Sequence, residues 1–130
     1  MIRFDSHGAA LVLAALLAAE PAGAQTTRNF DAQTLRGELV VTRPPEALLN
    51  NQRAQLAPGA RIRNANNLML LSGEVVNQRL LVHYTLDING QILNAWILTP
   101  AEAARRPWPV TPQQAQAWQF DVGQQVWSPK

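Results

Sequence analysis

His83 and Asp87 stand four residues apart in VHYTLD, a pair of types that could make a carboxylate-oriented general base if the two side chains met. In an extended segment they do not meet, because four residues at about 3.3 Å each hold them roughly 13 Å apart. His83 therefore reads as a surface or rim residue. A Ser-His-Asp arrangement would have to use Ser72, which lacks the flanking glycines of a nucleophile elbow. Asp87-Ile88-Asn89-Gly90 has the acid and the glycine of a calcium loop, but nothing beyond Gly90 supplies the bidentate glutamate such a loop needs. It reads as a turn. With no cysteine in the chain, thiolate chemistry and a disulfide framework are excluded. No catalytic residue, metal ligand or cofactor is predicted. The acids are widely spaced, and a carboxylate hydrolase is kept as the third functional reading only because paired acids need no local motif.

Recognition chemistry is better represented. All four tryptophans, Trp96, Trp108, Trp118 and Trp127, fall in the C-terminal third, among Arg105, Arg106 and a glutamine-rich run. Indoles bury wide area at low entropic cost and stack on sugars, peptides or cations. Trp96 and Trp118 are assigned to the core. Pro107-Trp108-Pro109 presents its indole on a stiff strut, to plug its own sheet or to reach a partner. The candidate binding residues are Trp108, Arg105, Arg106, Trp127, Arg61 and Arg63.

The setting for such a surface follows from the first two dozen residues. Arg3, the apolar run Ala9 to Ala19 and the small residues Ala22-Gly23-Ala24 form the three parts of a secretory signal, with Asp5 an unusual charge in its head. Eleven helical residues cover only about 16 Å, too short to span a bilayer. Residues 1–24 are expected to be removed, leaving a periplasmic or secreted product with no integral membrane segment. The chain carries a net charge of +2 with its arginines scattered, which disfavours nucleic acid as a partner and leaves anionic envelope polymers or lipid headgroups as electrostatic neighbours.

The elements that must position these residues are mostly strands. Residues 25–34 are polar and unpatterned and read as a flexible leader, and 35–130 as one domain. Arg36 to Thr42 is a β-branched run ended by Pro44-Pro45. Ala47 to Leu49 and Arg53 to Leu56 flank Asn50-Asn51-Gln52 as a short hairpin. Ala57-Pro58-Gly59-Ala60 fits a type II turn, after which Arg61-Ile62-Arg63 alternates with Ile62 inward. Leu68 to Leu71 and Glu74 to Val76 read as strands separated by a bend at Ser72-Gly73.

Leu80 to Leu86 and Ile92 to Leu98 then form a hairpin with two possible registers. A type I turn with a bulged glycine pairs Leu86 with Ile92 and Val82 with Trp96; a two-residue turn at Asn89-Gly90 pairs Leu86 with Leu93 and His83 with Trp96. The first collects more apolar groups on one face and is preferred. Thr99-Pro100-Ala101-Glu102 and Thr111-Pro112-Gln113-Gln114 carry the cap, proline and third-position side chain of two short helix starts. Trp118 to Asp121 and Gln125 to Trp127 close the chain as a small strand pair.

The expected fold is mainly β, a small five- or six-stranded barrel or rolled meander, SH3-like or OB-like, with two short C-terminal helices. With its leader, its "LAPGARIR" and "DINGQILNAWILTP" body and its "RPWPVTP" tail, the chain resembles in general type the small exported proteins of Gram-negative bacteria. That resemblance brings no activity or binding residues to carry over. The expectation is a non-catalytic envelope module that recognises a protein or glycan, with an accessory subunit of an envelope assembly as the alternative.

Overall fold

The computed structural model describes residues 27–130, so the expected signal segment, residues 1–24, lies outside the described residues. The chain forms β1 (Leu35–Arg43), β2 (Glu46–Leu49), β3 (Gln52–Arg63), β4 (Met69–Leu70), a 3₁₀ turn (Ser72–Val75), β5 (Leu80–Leu86), β6 (Ile92–Ile97), α1 (Pro100–Ala103), α2 (Pro112–Ala117), β7 (Trp118–Asp121) and β8 (Val126–Pro129).

Strands β1, β2, β3, β6 and β5 close into a barrel, and β4 extends it beside β3. The hairpin β1–β2–β3 is antiparallel throughout, β5 returns antiparallel to β1, and closure comes from a parallel pairing of β3 with β6. This is a Greek-key order rather than a simple meander, which selects the OB-like of the two expected variants. Alternation sends Leu35, Leu39 and Val41 of β1, Val82 and Tyr84 of β5 and Ile62 of β3 into one core, and an irregularity near the start of β6 lets both Ile92 and Ala95 join it. Leu39, Val41 and Val82 are completely enclosed, and such burial is worth about 1.5–3 kcal/mol per large aliphatic side chain.

The turns follow local chemistry. Asn50 and Asn51 take φ of 54° and 65°, the left-handed pair that a two-residue β2–β3 turn requires. At the β5–β6 turn the Gly90 amide donates to the Asp87 carbonyl at 3.0 Å and Gly90 has φ 77°, the type I turn with a bulged glycine. Leu86 accordingly pairs with Ile92. A second irregularity follows at once, so that Thr85 pairs with Asn94, His83 with Trp96 and Val82 with Ile97. The hairpin thus begins in the preferred register and continues in the alternative one. The shift aligns Tyr84, Val82, Ala95 and Ile97 toward the core and leaves Trp96 and His83 on the outer face.

Three expectations are corrected. Gly59 has φ 77° as a type II turn would need, but the chain does not reverse there: Pro58 and Gly59 sit in an irregularity within β3, between the pairings Leu56 with Ile92 and Arg61 with Asn94. Only Met69–Leu70 of the segment 68–71 is strand, and Ser72 to Val75 is a 3₁₀ turn, with the Glu74 carboxylate accepting from the Leu71 amide at 2.7 Å. The leader is not free from Arg28 onward. Phe30 is buried, and both its backbone groups bond the Gln125 side-chain amide at 2.8 Å.

Both helices start as their capping residues dictate. Thr99 Oγ1 accepts from the Glu102 amide and the Glu102 carboxylate accepts from the Thr99 amide, while Thr111 caps α2 through the Gln114 amide. After α1 the chain crosses the outer face of the barrel. There Phe30, Trp108 and Trp127 form a second apolar cluster with Trp96, Leu98, Trp118 and Phe120 packed around it.

Candidate functional site

Strand register assembles one row of side chains across the outside of the barrel. Met69 of β4 lies opposite Arg63 of β3, Arg63 opposite Trp96 of β6, Trp96 opposite His83 of β5, and His83 opposite Arg36 of β1. These positions alternate with the core residues of their strands, so all five face outward. The two ends of the row have different fates. The Arg36–His83 end is sealed by the C-terminal segment; the Trp96–Arg63–Met69 end is open or half-open.

At the sealed end His83 has no exposed surface, which corrects its expected place at a surface or rim. Trp108 stacks on its ring at 4.2 Å and Phe30 meets it edge-on at 4.3 Å. Arg36 Nε donates to His83 Nε2 at 3.2 Å. Since a guanidinium has donors only, the imidazole is neutral with its proton on Nδ1. Burial first, and the Arg36 charge second, push its pKa down to about 3. The remaining Arg36 donors reach the Glu102 and Ala103 carbonyls at the end of α1, an arrangement suited to a cation. Burial, with Arg106 and Arg105 adding to it, lowers the Arg36 pKa to about 10.

A second buried ion anchors the N-terminal segment. Glu102 is fully enclosed, and Arg28 contacts both its carboxylate oxygens, at 2.8 Å from Nη2 and 2.9 Å from Nε. Burial alone would raise the Glu102 pKa. Hydrogen bonds from the Arg28 side chain, then from the Thr99 and Arg28 amides, outweigh it and hold the carboxyl at about 2. Arg28 also donates to the Ile97 and Asn64 carbonyls, which leaves its guanidinium well occupied.

The proposed strut is a plug. Trp108 is 5% exposed and its Nε1 donates to the Thr34 carbonyl at 2.9 Å, because an indole placed over a buried imidazole gains more by covering it than by facing water. Trp127 is also buried, stacked on Phe120 at 4.7 Å. Neither is a surface binding residue. Arg105 is half-buried and holds the Arg28 carbonyl at 2.8 Å. Arg106 and Arg61 are exposed, and Arg63 is half-exposed. Trp96 and Trp118, assigned to the core, are only partly covered. The structure therefore brings together Arg63 and Trp96, keeps Arg61 near them, and withdraws Trp108 and Trp127.

At the open end Arg28, Asn29, Phe30, Arg63, Asn67 and Trp96 line a cleft of about 240 Å³. Its floor is fixed by the Arg28–Glu102 pair and by Phe30 against Trp96 at 5.3 Å. Arg63 makes no ion pair among the described residues, so its fork remains available to a carboxylate or phosphate. A wider depression of about 730 Å³ lies between β2, β3 and the β5–β6 turn, lined by Glu46, Arg53 and Gln91 among others, but it offers no aromatic face. No group of three or more His, Asp or Glu side chains suited to a metal ion occurs among the described residues.

Arg28, Arg36 and Glu102 escaped sequence reasoning as members of one site. The capping pattern at Thr99 identified Glu102 as a helix-start residue, and strand alternation could have placed His83 outward, but neither signal names the distant arginine that completes each pair. Comparison with known proteins adds no identity: no protein-family model matches the chain, and no curated protein and no solved structure matches it.

Proposed function

We propose that this protein is a non-catalytic binding module of the cell envelope, exported by its N-terminal leader, which recognises a protein or glycan partner at the open end of the outer row. The observation that carries this reading is the adjacency of Arg63 and Trp96, one an uncommitted guanidinium and the other a partly exposed indole, on a floor already held rigid. An indole face accepts the apolar side of a sugar ring or a peptide side chain, and the guanidinium accepts a carboxylate or phosphate in a fixed plane. A rigid floor lowers the ordering cost of binding.

Two further features favour binding over catalysis. The imidazole of His83, the candidate base, is neutral, enclosed and occupied at Nε2 by Arg36. The buried carboxylate is saturated by Arg28 and the α1 cap. Neither can exchange a proton with a bound molecule without first losing the contacts that hold it.

The test is crosslinking and affinity capture from the native envelope with Arg63→Gln and Trp96→Leu. Each substitution is expected to reduce capture about tenfold while the circular dichroism spectrum stays unchanged. Capture that is undiminished in both variants would overturn the site, and turnover abolished by replacing His83 or one acidic side chain would overturn the non-catalytic reading.

A further inference from the structure

Beside β4 the barrel surface opens into a groove of about 310 Å³ walled by Pro44, Pro45, Leu56, Met69, Leu70 and Leu71, and no charged residue lines it. The rim is unusually apolar. Leu68, Met69 and Leu71 are 63%, 57% and 74% exposed, three large side chains within four residues, where an ordinary surface scatters them singly. Cations flank the groove. Arg43 immediately precedes Pro44, and Arg61 immediately precedes Ile62, the cross-strand partner of Leu70; both are exposed and neither has an ion-pair partner among the described residues. Two acids lie close along the chain: Glu46, exposed after Pro45 and opposite Arg43 in the β1–β2 pairing but not ion-paired with it, and Glu74, whose carboxylate is turned to the Leu71 amide.

We propose that this surface docks the protein on an anionic lipid membrane, with Leu68, Met69 and Leu71 entering the headgroup boundary and Arg43 and Arg61 resting on lipid phosphates. It concerns the β4 edge of the same outer face, where Met69 is the cross-strand neighbour of Arg63, and it does not depend on the partner bound between Arg63 and Trp96. Charge complementarity selects the occupant: uncovered apolar side chains with arginines alongside match a surface whose outer layer is negative and whose interior is hydrocarbon. A peptide added as an extra strand is disfavoured, because β4 offers only Met69 and Leu70 as a template. The apolar side chains also protrude. A bilayer accepts protruding groups at any angle, whereas a protein partner must match each one with a pocket.

Vesicle flotation tests the proposal, using the protein in the form that accumulates on expression of the full chain, with its N-terminus read by mass spectrometry and identical in every variant. One set of vesicles contains phosphatidylglycerol with phosphatidylethanolamine and the other phosphatidylcholine alone. The wild type is expected to float with the anionic vesicles and not with the neutral ones, and to be released as salt is raised. Arg43→Gln/Arg61→Gln is expected to weaken partition by about fivefold per arginine, and Leu68→Ser/Leu71→Ser by more than about tenfold. Both variants should keep the wild-type circular dichroism spectrum, and Leu68→Ser/Leu71→Ser should keep full partner capture through Arg63 and Trp96, so that loss of membrane docking is distinguishable from loss of partner binding. The proposal is overturned by absence of flotation with anionic vesicles, by equal flotation with neutral ones, or by equal flotation of wild type and both variants. It is also overturned if the wild type self-associates on sizing and Leu68→Ser/Leu71→Ser alone abolishes this, which would assign the groove to a second copy.

Discussion

Arg36 donates to His83 Nε2 across 3.2 Å, and both residues are buried beneath Trp108. A guanidinium held against a neutral imidazole in an apolar enclosure makes protonation of that imidazole expensive, and the expense appears as a dependence of folding on pH.

The His83 pKa falls from an ordinary 6.5 to about 3 on folding, so below pH 6.5 the unfolded chain binds a proton that the native one refuses. Stability contributed by the neutral ring is therefore complete above pH 6.5 and is lost as pH falls toward 3. Glu102, lowered from 4.5 to about 2, acts in the same direction but only at pH below 4.5. The interval from 6.5 to 4.5 therefore separates the histidine from this carboxyl. Urea denaturation across that interval is expected to show stability declining by up to about 1.4 kcal/mol per pH unit, and His83→Gln to remove most of the decline. An unchanged slope in the variant would mean that the imidazole titrates in the folded protein much as it does in solution.

Glu102→Gln leaves Arg28 enclosed without its counter-charge. Removing one partner of a buried pair costs about 3–5 kcal/mol, mostly because the other charge stays desolvated. The loss should be structural before it is global, since Arg28 ties the N-terminal segment to α1. Hydrogen exchange at the Phe30 amide, which donates to Gln125, is expected to accelerate in the variant well before the core amides of β1 and β5 respond. Uniform acceleration at all these sites would show instead that the segment and the barrel unfold as one unit.

Features whose cause lies within a few residues were legible in sequence. The asparagine turn at Asn50, the glycine at position 90 and the two helix starts each satisfy a local backbone demand, and each stands where that demand predicts. The hairpin register was half legible: the turn fixed the pairing at Leu86, while the later shift serves the packing of the whole barrel, which no local pattern states. The site was the least legible part. Arg28 meets Glu102 across 74 positions and Phe30 meets Gln125 across 95, so a segment that looks featureless is ordered wholly by remote partners. Trp108 illustrates the same limit. A stiff indole on prolines serves equally well as plug or probe until its neighbour is known, and here the neighbour is a histidine that needs covering.

Gly37 and Asn50 make the last test, one of how β1 accepts the β2–β3 turn. The Asn50 side-chain oxygen accepts from the Glu38 amide at 2.9 Å, and the Asn50 amide donates to the Glu38 carbonyl at 2.8 Å, which draws the turn down onto β1. A Cβ on Gly37 would lie 2.9 Å from both terminal atoms of the Asn50 side chain and 3.2 Å from Leu49 Cδ1. Gly37→Ala is therefore expected to cost about 1–3 kcal/mol, in the range of an overpacked site, despite the gain in strand propensity. Asn50→Gly keeps the left-handed backbone at that position, loses the side-chain hydrogen bond and clears the space, for about 1 kcal/mol. If the clash is the cause, the double variant is more stable than the sum of the single losses predicts by more than about 0.5 kcal/mol, and a denaturation cycle on the four proteins measures it. Strict additivity would place the cost of Gly37→Ala elsewhere, against Leu49 or in the backbone of β1.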